Sequence, residues 1–181
     1  MTEESTVETA APEEVAPGAP EDPVLAGLAA AFPEAAFSRF TPPSGPSQDV
    51  VVVSREDLVG FAAAARDTGF DTFIDLCGVD HLGARPRFEV VVTLLAMDLV
   101  RRLRIRVPVP GTDPRVPTLT GVFPGANFYE RETWDLFGIV FDGHTDLTRL
   151  LLPDEWEGHP LRKDEGVGSV PIQFKGARRS S

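Results

Sequence analysis

Cysteine and histidine are nearly missing from this sequence. The single thiol, Cys77, cannot form an internal disulfide, and alone it cannot hold an iron–sulfur cluster or a cysteine-rich zinc site. Its setting, FIDLCGV, suits a small buried apolar residue. The three histidines are His81, His144 and His159, and no HExxH or EF-hand pattern accompanies them. Asp142, His144 and Asp146 alternate in DGHTD and would share one side of a strand, but Asp-Gly is ordinary turn chemistry. There is no GxGxxG or Walker-type glycine loop to cradle a nucleotide phosphate. No apolar run approaches the roughly 20 residues that span a bilayer. VVVTLLAM and GIVF are strand-sized, and the N-terminus lacks the basic and apolar segments of a signal peptide. Any association with a membrane is therefore expected to come through a partner.

Positive charge is also scarce where it would matter for nucleic acid. The formal net charge is −11. Residues 1–23 supply Glu3, Glu4, Glu8, Glu13, Glu14, Glu21 and Asp22 without one Lys or Arg. The dense basic run is RRLRIR, in which Arg102, Arg104 and Arg106 alternate with Leu103, Ile105 and Val107. That pattern is a half-buried strand with one charged face, not the clustered patch that phosphate binding requires.

What is present reads as one domain with tails. The Ala-, Pro- and Glu-rich residues 1–23 bury too little to offset ordering and are expected to be a disordered acidic tail. Residues 24–110 read as an α+β domain. A helix over 23–32 starts at a proline and stops before Pro33. AAFSRF and QDVVVVS read as strands, joined by the breaker-rich TPPSGPSQ. Ser54 and Asp57 form a capping-box pattern ahead of a helix whose stripe is Leu58, Phe61, Ala62 and Ala65, with Gly69 as its stop. Three strand-like runs follow, separated by short turns that favour an antiparallel meander. The fold class is α+β, a mostly antiparallel sheet with helices on one face. Residues 111–146 hold a Pro/Gly-rich loop, a helix ending at Gly138 and a short strand. Residues 147–181 read as an extended C-terminal segment that docks on a partner.

The helix ANFYERETWDLFG mixes acids with aromatics. Arg131, Glu132 and Asp135 fall on one side, and Arg131 and Asp135 are i,i+4 neighbours able to pair. Phe128, Tyr129, Trp134, Leu136 and Phe137 spread around more than half the circumference, so the helix should be covered on more than one side. A second polypeptide is the expected cover. Glu130, among aromatics, must find a hydrogen-bonded partner or change its protonation state. Glu130 and Glu132 point about 160° apart and cannot flank one scissile bond, which disfavours paired-carboxylate catalysis. Farther on, LLLPDEWEGHPLRKDEG interleaves Trp156, His159, Leu161, Arg162, Lys163 and Asp164, a composition suited to an interface.

The stretch GANFYERETWDLFGIVFDGHTDLTRLLLPDEWEGHPLRKD resembles the signature region of the C subunit, or thirty-kilodalton subunit, family of NADH-quinone oxidoreductase, respiratory complex I. The ERExxDLFG core, the later histidine and the WEGHPLRKD block match in order and spacing, and RFEVVVTLL and RIRVPVP fit as well. The resemblance implies a non-catalytic core subunit in the hydrophilic arm of a proton-translocating complex. The subunit would be peripheral, on the cytoplasmic side of the plasma membrane. It implies no cofactor in this chain, flavin and iron–sulfur clusters in partner subunits, and NADH and quinone as substrates of the whole. The chief partner would be the neighbouring quinone-chamber subunit, over which the C-terminal segment wraps. The alternative is the equivalent subunit of a membrane-bound hydrogenase or deazaflavin-linked dehydrogenase. No catalytic, cofactor or metal residue is expected. Glu130, Arg131, Glu132, Trp134, Asp135, Phe137 and Gly138 become structural and interface residues. So do His144, Arg149, Trp156, His159, Pro160, Leu161, Arg162, Lys163 and Asp164. Two departures stand out: Thr148-Arg149 replaces the family's common arginine pair, and Glu165-Gly166 replaces an aromatic–proline pair after RKD. Without a partner over the Trp134/Phe137 surface and the 150–166 segment, the chain alone should be poorly soluble or partly disordered in its C-terminal third.

Overall fold

Strict alternation of apolar residues builds the centre of the molecule. In the computed structural model, which describes residues 13–15, 20, 22–42 and 47–165, three nine-residue strands form a meander: β4 (Thr72–Asp80), β5 (Phe88–Ala96) and β6 (Arg101–Val109). Val90, Val92, Leu94 and Ala96 alternate on β5, and Leu103, Ile105, Val107 and Val109 on β6, and all eight are buried. Their neighbours along each strand face the other side of the sheet, as the period of two requires.

The full element order adds β1 (Glu13–Val15), α1 (Pro23–Ala31), β2 (Ala36–Thr41), β3 (Gln48–Val52) and α2 (Leu58–Asp67) ahead of the meander. The six strands lie in the order β1-β2-β3-β6-β5-β4. Every neighbouring pair is antiparallel except β3 with β6. That one parallel pair is possible because α2, β4 and β5 intervene and give the chain length to return. The expected class, a mostly antiparallel α+β sheet with helices on one face, is the observed one.

Cys77, expected to be a small buried residue, is exposed, because it alternates with the buried Leu76 on β4. Two further local details differ from expectation. Within residues 1–23, Glu13–Val15 form an edge strand, with Glu13 beside Thr41 and Val15 beside Arg39. The outer edge of β2 offers unpaired backbone groups, and a ladder on such an edge needs no apolar side chains. The other residues of the expected disordered tail, 20 and 22–23 apart, lie outside the described residues. The second detail is the start of α2. The Ser54 hydroxyl accepts from the Asp57 N–H at 3.1 Å, so the capping link is made. Residues 55–57 nevertheless form a turn, and regular helix begins at Leu58. Leu58, Phe61, Ala62 and Ala65 are wholly buried, and Gly69 ends the helix at φ +109°. On α1, Asp22 caps the start by accepting from the N–H groups of Val24 and Leu25 at 3.0 and 3.2 Å.

After β6 the chain makes β7 (Arg115–Pro117), α3 (Ala126–Phe137) and β8 (Val140–Asp142). β7 and β8 pair in parallel, and Arg115 grips Asp142 across them. This small sheet was hidden in the sequence because RVP reads as loop. α3 lies on β4 over Gly78. A Cβ there would stand 2.9 Å from Phe137 Cδ2 and 3.0 Å from Thr133 Cγ2, so the close approach depends on a bare backbone. No helix among the described residues is long and apolar enough to cross a membrane.

Candidate functional site

The charged residues of α3 are placed by what its ends and flanks lack. Glu130 is wholly buried. It accepts from the Leu119 N–H at 2.7 Å and from the Thr118 hydroxyl at 2.5 Å. It thereby ties the Pro/Gly-rich loop to the helix. Burial pushes its carboxyl above the usual range, opposed by those two donors and by the charge field of His144. Glu132, two residues on, is exposed. The two acids face different surroundings and cannot share a substrate.

Asp135 is the second wholly buried acid on α3. The expected pair with Arg131 does not form. Three consecutive backbone N–H groups, of Leu150, Leu151 and Leu152, converge on Asp135 Oδ2 at 3.1, 2.9 and 3.0 Å. Arg149 Nη1 donates to Oδ1 at 2.6 Å. Burial alone would raise this carboxyl, but the donors outweigh it and hold Asp135 below the ordinary carboxylate range. Arg131 turns instead to the incoming strand of chain, donating to the carbonyls of Thr148 and Arg149 at 3.1 and 3.2 Å and to the Thr148 hydroxyl at 2.9 Å. Four donors on Asp135 satisfy it better than one i,i+4 cation could.

The last carbonyls of a helix have no intrahelical donors. Here the WEGHPLRKD block supplies them. His159 Nδ1 lies 3.0 Å from the Asp135 carbonyl, the Leu161 N–H donates to Leu136 at 3.1 Å, and Arg162 Nε donates to Phe137 at 2.6 Å. A cation at this end also suits the helix dipole. Gly138 makes the junction possible in two ways. Its φ is +70°, and a Cβ would stand 2.5 Å from Arg162 Nη2 and 2.6 Å from His159 Cδ2.

Past Arg162 the segment is pinned to the sheet. The Lys163 N–H donates to Asp80 Oδ2 at 2.9 Å. Arg87 bridges Asp80 and Asp164, with Nη2 at 2.8 and 2.6 Å from their oxygens. The Arg87 guanidinium holds Asp80 far below the usual carboxylate range and lowers Asp164 as well. Both departures from the family pattern have internal roles here. Thr148 receives Arg131, and Glu165 Oε1 accepts from the His159 N–H at 3.1 Å. Residues 147–165 thus form a polar clasp over α3.

Several of the remaining signature residues also make internal contacts. Trp134 and Phe137 pack half-buried against the core, and the Arg149 guanidinium lies 5.8 Å from the Trp134 ring. The Trp156 carbonyl accepts from Arg149 Nη2 at 2.6 Å. His144 accepts at Nδ1 from the Asp146 N–H at 3.1 Å, which leaves its other nitrogen to donate to the Asn127 carbonyl at 3.3 Å. Pro160 is half-buried and Leu161 is exposed. Residues 147–165 of the same chain therefore cover one side of α3, while Phe128 on it stays exposed. Residues 147–165 are held by these contacts, and residues 166–181 of the expected docking segment lie outside the described residues. Sequence reasoning missed Asp80, Arg87 and Thr118. Their partners are remote in sequence, and the one local hint was an Asp and an Arg flanking the β4–β5 turn. Among the described residues, no three His, Cys, Asp or Glu side chains converge as a metal site.

A family described as "Respiratory-chain NADH dehydrogenase, 30 Kd subunit" matches residues 51–169, which contain α2 through the whole clasp. The chain belongs to this 30 Kd subunit family. Its relatives include the NADH-quinone oxidoreductase C subunit of Roseiflexus castenholzii, 46% identical over 156 residues, or 83% of this chain and 87% of that one. The counterpart of the same name from Roseiflexus sp. strain RS-1 is 48% identical over 127 residues, 68% of this chain and 73% of that one. Among solved structures, a trypsin-resistant fragment of Nqo5 superposes with a TM-score of 0.54 at 40% identity, covering 57% of this chain and 86% of the fragment. A chain of the archaeal membrane-bound sulfane sulfur reductase shares the fold, with a TM-score of 0.69 at 19% identity over 87% of this chain and 96% of that one. The clasp lies inside the region that the family match covers.

Proposed function

We propose that this chain is a core subunit of the hydrophilic arm of a proton-translocating NADH-quinone oxidoreductase, and that it scaffolds the quinone-reducing module without an active site of its own. One observation carries the scaffold reading. Four carboxylates in and under the clasp are engaged in holding the fold: Glu130 by Leu119 and Thr118, Asp135 by residues 149–152, Asp80 and Asp164 by Arg87. Asp80, Asp135 and Asp164 are held below the ordinary carboxylate range, and a carboxylate held ionised in this way is a poor general acid. On this reading flavin and iron–sulfur clusters reside in partner subunits, and NADH and quinone are substrates of the assembly.

The chief partner in this proposal is the neighbouring quinone-chamber subunit. The apolar side chains left outside the clasp suit such a contact: Phe128 at the start of α3, and Leu150, Leu151 and Leu161 on the segment that wraps it. The protein reaches the membrane through the complex, on its cytoplasmic side. The test is to tag the chain in its own host, extract membranes in mild detergent and size the particle. Migration in a very large particle that oxidises NADH with a quinone acceptor is the expected result. A large particle with another electron donor would point to a hydrogenase- or deazaflavin-linked assembly. A small species with its own turnover would contradict the scaffold role.

A further inference from the structure

The main sheet ends at β4, the last strand in its order. The His81 N–H donates to the Arg87 carbonyl at 2.8 Å. Antiparallel register then turns the backbone groups of Asp75, Cys77 and Val79 toward β5, and those of Leu76 and Gly78 outward. Among the described residues, these outward N–H and C=O groups have no hydrogen-bond partner. Bulges commonly protect such edges. β4 has one irregularity, between Phe73 and Asp75, and its pairing is regular from Asp75 to Asp80. An open template for another strand therefore remains.

Both rims of this edge carry an acid without a partner. α3 lies over β4 with Thr133 and Phe137 against Gly78, and with Glu130 turned to the loop at Leu119. At about 100° per residue, Glu132 and Phe128 fall on the flank opposite Glu130, which overhangs the edge. Both are exposed. Asp75 stands on the other face of the sheet, in register with Thr93. Arg104, the cation of that row, lies two strands in, about 10 Å away by strand spacing. Among the described residues neither Asp75 nor Glu132 makes a hydrogen bond or ion pair. Ile74, Cys77 and Phe128 give the edge exposed apolar surface as well. A second copy of β4 would bring its own Asp75 and Glu132 to the same seam, where like charges repel. A cationic strand meets no such repulsion. We propose that this edge receives, as a seventh strand, an extended segment of a neighbouring subunit that carries a Lys or Arg on each of its two faces and apolar residues between them. Backbone pairing supplies the affinity and the two acids the selection. The neighbouring subunit as source rests on the assembly reading above; the open edge does not.

The test places benzoylphenylalanine at Ile74 or at Cys77 in the tagged chain, in its own host, and maps the photo-adducts in the detergent-extracted particle. Both adducts are expected on one segment of another polypeptide, with Lys or Arg among its residues. Ile74 and Cys77 are about 10 Å apart along the strand. Their adducts should therefore fall about three residues apart on an extended segment, against about seven on a helix. Asp75→Lys/Glu132→Lys is expected to lower the adduct yield about tenfold, by setting like charges against the segment. Asp75→Asn/Glu132→Gln should lower it less, and serves where the lysine variant does not fold. A large particle with no adduct would overturn the edge proposal and leave the assembly reading standing. So would helical spacing, attachment to a second copy, or a yield that neither pair of substitutions lowers. A small species free of partners would overturn both.

Discussion

Residues 22–109 and residues 110–165 are held by different forces. The first stretch buries alternating Val, Leu and Ile, and its stability comes from non-directional removal of apolar surface, on the order of 1.5–3 kcal/mol for each large side chain. The second is rich in Pro and Gly; it adds Val116, Leu119, Phe123, Ile139 and Phe141 to the shared core, and the order of its C-terminal clasp comes from two buried carboxylates, three arginines and a row of backbone donors and carbonyls. Burial tolerates changes of shape. A buried carboxylate with four donors does not tolerate the loss of one partner, since the orphaned groups stay in the interior. The polar clasp should therefore fail at single positions where the sheet merely weakens.

The strongest way to break this comparison is Asp135→Ala. It strands three N–H groups and Arg149. The expected loss is about 3–5 kcal/mol, read by urea unfolding, with new protease cleavage within 147–165. Leu94→Ala, wholly buried in the sheet, is expected to cost about 2–5 kcal/mol while leaving 147–165 protected. If Leu94→Ala exposes the segment and Asp135→Ala does not, the division between the two regions is wrong. Gly138→Ala comes next. Both its left-handed backbone and its contacts with His159 and Arg162 resist a Cβ, and roughly 1–3 kcal/mol should be lost, again with release of the segment.

Acid separates the groups by sign. Asp80 and Asp135 lie below their ordinary values, so their stabilisation is complete above about pH 4 and is lost as pH falls through their depressed values. Glu130 lies above its ordinary value. Its ionisation opposes folding, so stability rises as pH falls through that raised value. A pH series of unfolding free energies, followed downward from neutrality, should therefore rise, then fall, and Glu130→Gln should flatten the upper limb alone. The smallest effect is expected from Thr148→Arg, which sets a second cation against Arg131 at an exposed position and should cost about 0.5 kcal/mol or less. The same unfolding assay checks it.

The two regions were also unequally legible in the sequence. Period-two alternation fixed β5 and β6, and the Leu58, Phe61, Ala62 and Ala65 stripe fixed α2, because local pattern and burial coincide there. α3 and its stop at Gly138 were legible for the same reason. What covers α3 was not. Arg131 and Asp135 satisfy the local pairing rule, yet N–H groups 15 to 17 residues downstream take Asp135. The Asp80–Lys163 link spans 83 positions and leaves no periodic trace. The family resemblance drew attention to the signature residues, but it could not tell an internal clasp from a surface awaiting a partner. β1 and β7 escaped notice because short edge strands are set by backbone pairing more than by side chains.

The most direct measurement is amide exchange in the full chain, alone in solution. The N–H groups of Leu150, Leu151, Leu152, Leu161 and Lys163 should exchange slowly, and should become fast in Asp135→Ala while the amides of β5 and β6 stay protected. Equally fast exchange at those five positions in the unsubstituted chain would show that the C-terminal segment needs a partner to order it, and would contradict the internal clasp.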